Sequence, residues 1–102
     1  MPPPGWTNPI TVPAGQRQQG VNPLALLPSR LDLLRRRLVI QRSLLLGGTA
    51  RFTPIEVTVQ GVIYDGHHAV RVAAEEGRLI DVVVVPHSLT SSADSILDLP
   101  VV

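Results

Sequence analysis

The sequence predicts a small α+β domain, and three observations carry that reading. A chain of 102 residues has the size of a single folded unit. Between Pro54 and Val85 lie short stretches that alternate apolar with polar residues or run as consecutive valines, the pattern of strands. Two other stretches repeat apolar residues at helical spacing and end at glycines. The domain is expected over residues 24–87, with a proline-rich arm or linker at 1–23 and a Ser/Thr-rich tail at 88–102.

Each element follows in order. Six prolines fall within the first 23 residues, leaving few backbone donors and no sustained apolar period, so this stretch is expected to stand apart from the core. Ser29, followed three residues later by Asp32, has the form of a capping box and predicts a helix running to Leu46, stopped by Gly47 and Gly48. Leu31, Leu34, Leu38 and Leu45 share one stripe of that helix; Leu33, Ile40 and Leu44 form another about 120° away. The second ridge needs a cover of its own, whether a terminal segment, a partner protein or a second copy. Pro54 to Val59 alternates as a strand, Gln60 and Gly61 make a hairpin tip, and Val62 to Tyr64 returns. A helix is expected from His67 to Glu76, with Asp65 and Gly66 as its cap and Gly77 as its stop. Leu79 to Val85 completes the set as a strand covered on both faces. Ser88 to Ser95 reads as a loop, and Ile96 to Val102 as a tail that docks or stays free.

Composition narrows the function classes. There is no cysteine, which excludes disulfide scaffolds, thiolate metal sites and cysteine nucleophiles. Aromatic residues make up 3%, too few for the stacking platforms that bind single-stranded nucleic acid. No apolar run has the length of a membrane span, and the N-terminus lacks the order of a cleavable signal peptide. The expected location is therefore cytoplasmic, or that of an effector secreted without such a peptide. All nine basic residues are arginines and the net charge is +1, but the two halves differ. Seven arginines and the single acid Asp32 precede Phe52, whereas two arginines and seven acids follow it, so a basic patch is expected in the first half.

Chemistry concentrates in Tyr64-Asp65-Gly66-His67-His68, where a strand hands over to a helix. Unpaired N–H groups and the helix dipole favour an anion there, and a glycine lets it approach closely. His68, Arg71 and Glu75 share one helical face, making His68 a candidate general acid/base and Arg71 a candidate phosphate ligand. His67 aligns with Val70 and Ala74 and is expected to be the more buried ring. Asp65, His67 and His68 are thus the candidate catalytic residues, and Gly66, His67 and Arg71 the candidate phosphate-binding ones. Adjacent histidines have poor spacing for sharing one metal ion. His87 with His68 and Asp65 could supply three ligands only if the fold assembled them, so a divalent metal stays open.

Thr53-Pro54-Ile55-Glu56-Val57, Gly61 through His68, Ala73-Ala74, Gly77 and the strand Ile80 to Val85 together resemble the ParB N-terminal/sulfiredoxin-like superfamily. The resemblance spans about residues 30 to 86. It implies a turn and helix that bind nucleotide or nucleic-acid phosphate through Gly66, His67 and His68, although Ala69 stands where that pattern has arginine. The cysteine of sulfiredoxin chemistry is absent, and no room remains for the DNA-binding domain of partition proteins. A short version behind a proline-rich arm looks like the modules at the ends of bacterial polymorphic toxins. The resemblance therefore implies a nuclease or nucleotide hydrolase acting as a toxin, with an immunity protein as a possible partner. The alternative expectation is a non-enzymatic interaction or nucleotide-binding module that works through Leu33, Ile40 and Leu44.

Overall fold

The structure, a computed structural model, describes residues 2–47 and 54–102. Gly48 and Thr53, which carried parts of the readings above, lie outside them. The described residues form an α+β domain with four strands, β1 (Arg17–Val21), β2 (Ile55–Thr58), β3 (Ile63–Asp65) and β4 (Ile80–Val85). Its two α-helices are α1 (Arg35–Leu46) and α2 (His67–Glu75). The sheet order is β1-β4-β2-β3: β4 pairs parallel with β2 and antiparallel with β1, and β3 closes an antiparallel hairpin with β2.

The hairpin and the second helix form where their residues predict. Gly61 donates its N–H to the Thr58 carbonyl at 3.0 Å and adopts φ +82°, a conformation glycine adopts without steric cost. It is also the only residue type that fits, because an added Cβ would lie 2.6 Å from Asn8 Oδ1 and 3.1 Å from the Trp6 ring. At the other end of α2, Gly77 adopts φ +66°. The Arg78 N–H reaches the Ala73 carbonyl at 2.9 Å and the Gly77 N–H reaches Ala74 at 3.4 Å, the paired bonds of a Schellman stop.

The core lies between one sheet face and α2. Ile55, Val57, Ile63, Val82 and Val84 rise from the sheet to meet Ala69, Val70, Val72 and Ala74. Because β2 and β4 run parallel in register, with Ile55 opposite Val82 and Val57 opposite Val84, their inward side chains stack in pairs. α1 packs beside α2. Across the seam Arg42 of α1 bridges Glu75 and Glu76 of α2.

Three expectations are corrected. The proline-rich stretch does not stand apart. It supplies β1, whose Arg17 and Gln18 pair with Val83 and Val82. It also buries Ile10 in the core and donates the Trp6 indole N–H to the Ala25 carbonyl at 2.7 Å. Its polar composition suits an edge strand, where only Val21 must face inward. The first helix starts at Arg35 rather than near Ser29. Ser29 donates its hydroxyl to the Ile63 carbonyl at 2.6 Å, and the chain up to Leu34 is drawn out to pair with the C-terminal segment. Leu33 donates its N–H to Pro100 and accepts from Val102, while Arg35 donates to Val102. The tail therefore docks, burying Ile96 and Leu99. The second ridge dissolves with the helix start: Leu33 is sealed beneath Val101, Leu44 is half-buried and Ile40 stands 57% exposed.

Because β1 completes the hydrogen bonding of β4 and Ile10 belongs to the core, deleting Met1 to Gly20 is expected to abolish cooperative melting. Differential scanning calorimetry of the truncated chain checks this, and an intact transition would return the stretch to the status of an arm.

Candidate functional site

The site is built at the start of α2. Gly66 is its N-cap residue, at φ +103°, and no side chain caps the helix. The first-turn N–H groups of His67, His68 and Ala69 therefore lack intrahelical acceptors. They open into a cavity of about 300 Å³ lined by Arg30, Arg37, Ile40, Gln41 and the run Asp65 to Ala69. Arg30 comes from the extended segment before α1 and Arg37 from the first turn of α1. The wall thus carries two guanidinium groups and the positive end of a helix against the carboxylate of Asp65, with Arg30 donating to the Asp32 carbonyl at 3.0 Å and lying 3.8 Å from the Asp32 carboxylate.

Both histidines are buried, His67 at 4% and His68 at 7% exposure, in the order that the sequence reading expected. Each ring accepts a backbone N–H at Nε2: His67 from Ser29 at 2.9 Å and His68 from Leu34 at 3.0 Å. A backbone N–H can only donate, so both rings are neutral and carry their proton on Nδ1. Burial, reinforced by Arg30 and His68 and opposed by Asp65, pushes the His67 pKa down to about 4. Burial with Arg30 and Arg37 likewise lowers that of His68, against the pull of Asp32. With the Nε2 lone pairs engaged, neither ring is free at that nitrogen to take a proton from a substrate.

Asp65, Gly66, His67 and His68 thus meet at one cavity, and Arg71 does not. Its side chain, 13% exposed, donates to the carbonyls of Ile96 at 3.2 Å and Leu99 at 3.0 Å and to Glu75 at 3.2 Å. It anchors the C-terminal segment. His87 stacks on Tyr64, with ring centroids 4.5 Å apart, and is not part of the cavity wall. Among the described residues no three His, Asp or Glu side chains form a metal-binding group, so His87, His68 and Asp65 are not assembled as ligands. Sequence reasoning missed Arg30 and Arg37. The basic first half signalled them, but which arginines reach the cavity depends on the extended path of residues 29–34.

No family model, curated protein or solved structure matches the chain. No helix among the described residues is long and apolar enough to cross a membrane.

Two outcomes follow from these contacts. The unfolded chain binds protons at His67 from about pH 6.5 downward, while the folded chain resists until about pH 4. This contribution to stability is complete above pH 6.5 and shrinks as the pH falls through that window, by about 3 kcal/mol in total. His68 acts in the same direction. Melting temperatures measured from pH 7 to pH 4.5 should fall steadily, and less steeply in His67→Gln, whose amide oxygen accepts the same bond without titrating. Arg71→Ala leaves two carbonyls without their donor, and urea unfolding should show a loss of about 2 kcal/mol.

Proposed function

We propose that the chain binds a phosphate-bearing ligand in the cavity at the start of α2. The carrying observation is that an uncapped helix N-terminus lines the same cavity as Arg30 and Arg37. Peptide N–H groups and planar guanidinium forks are donors that phosphate oxygens accept from, and the helix dipole favours the negative charge. The turn Gly66-His67-His68, on which the ParB-like resemblance rests, lies at this cavity, and phosphate binding is what that resemblance implies. Neutral histidines fit a binding role better than the acid/base role expected of His68, because their Nε2 atoms are engaged by the backbone.

Nuclease or nucleotide-hydrolase activity, as in a bacterial toxin module, extends this reading. It requires a group that takes a proton from water, and Asp65 is the one carboxylate in the wall. An interaction module is the second reading. Val39, Ile40 and Leu46 stand more than half exposed on the solvent side of α1, a surface that suits an immunity protein or a second copy better than the ridge through Leu33 and Leu44.

Titrating the ¹⁵N-labelled chain with inorganic phosphate should shift the His67, His68 and Ala69 amides. Replacing Arg30 and Arg37 by alanine should weaken binding by about tenfold or more, since each charged hydrogen bond contributes on the order of 1.5–3 kcal/mol. Amides that stay still in the native chain would dispose of the phosphate reading.

A further inference from the structure

Resting on the phosphate reading, the donor and acceptor inventory of the same cavity distinguishes one oxyanion from another. The first-turn N–H groups of α2 and the guanidinium groups of Arg30 and Arg37 offer hydrogens only. His67 and His68 join them. Both are more than nine-tenths buried, both line the cavity, and each has its Nε2 engaged. Each ring's remaining nitrogen, Nδ1, is a donor with no partner among the described residues. Asp65 is the exception: an ionised carboxylate can only accept, and it lies in the same wall.

Asp65 also lies directly across the sheet from Glu56, and neither forms a salt bridge among the described residues. Opposed like charges weaken a strand pair. A ligand that brings a hydrogen to Asp65 satisfies an oxygen of that carboxylate. A ligand that brings only negative charge meets repulsion there.

We propose that Asp65 is a specificity residue that selects a phosphate group still carrying a proton, as in inorganic phosphate or a phosphomonoester, over sulfate and phosphodiesters. The bound group accepts from the helix N–H groups, the two arginines and the imidazole Nδ1–H groups through its ionised oxygens. A P–OH donates to Asp65, the single one of a phosphomonoester monoanion or one of the two on dihydrogen phosphate. No covalent bond changes in this step, and no proton leaves the ligand. Sulfate and a diester have the same oxygens for the donors but no hydrogen for the carboxylate. A phosphomonoester has its second pKa near 6, so the protonated form is well populated at about that pH.

The test compares inorganic phosphate, methyl phosphate, dimethyl phosphate and sulfate at pH 6, read by the amide shifts of His67, His68 and Ala69 in the native chain and in Asp65→Asn. The native chain should bind the first two at least about tenfold more tightly than sulfate or dimethyl phosphate, the ratio expected of one charged hydrogen bond gained or lost. In Asp65→Asn, sulfate affinity should rise and the ratio should fall to within about threefold, with the melting temperature nearly unchanged because Asp65 is exposed. Equal binding of sulfate and phosphate by the native chain overturns the assignment, as does an unchanged ratio in Asp65→Asn. If none of the four anions moves the amides, the phosphate reading itself fails and takes this assignment with it.

Discussion

The fold depends on two imidazole rings that accept backbone N–H groups. Residues 29–34 follow an extended path without regular structure of their own, and a buried backbone donor left unpaired costs about as much as a lost hydrogen bond. His67 and His68 meet the donors of Ser29 and Leu34, and Arg71, one turn further along α2, meets the carbonyls of Ile96 and Leu99. One nine-residue helix thereby satisfies the polar backbone of two irregular segments while its apolar residues close over the sheet. These segments also hold each other, through the pairing of Leu33 with the chain around Val101. Polar satisfaction and apolar burial therefore arise from the same element, which ties the termini to the core.

The same contacts define the cavity. Drawing residues 29–34 toward α2 brings Arg30 to the helix start and sets the entry of α1 so that Arg37 stands beside it. The histidines are thereby removed from proton transfer at Nε2 and become fixed neutral donors at Nδ1. Burial and the neighbouring guanidinium groups act in the same sense, both disfavouring the imidazolium form. What remains is a recess lined by donor groups with the carboxylate of Asp65 in its wall.

Much of the central fold was legible in the sequence. Ile55 and Val57 alternate with Glu56 and Thr58, the valine run makes β4, and Gly61, Gly66 and Gly77 all adopt the positive φ that their turns require. These signals are local: side-chain period and backbone sterics act within a few residues of the chain. The cluster Asp65 to His68 was legible for the same reason, since a strand, a glycine and a helix start in succession gather it without help from elsewhere.

β1, the start of α1 and the roles of single polar side chains were decided by tertiary structure. Arg17 to Val21 has almost no apolar pattern and is a strand because β4 offers it an unpaired edge. Ser29 and Asp32 have the spacing of a capping box, but a capping hydroxyl is worth only about 1 kcal/mol. The Ile63 carbonyl and the paired C-terminal segment outweigh it. Arg71 has the spacing of a ligand residue, yet carbonyls 25 and 28 positions away take its guanidinium, while Arg30 and Arg37 line the cavity. Sequence by itself determined the elements whose geometry is fixed by neighbours along the chain. Partners for each polar group were chosen only when distant segments met, because a hydrogen bond depends on distance in space and carries no trace in the local pattern.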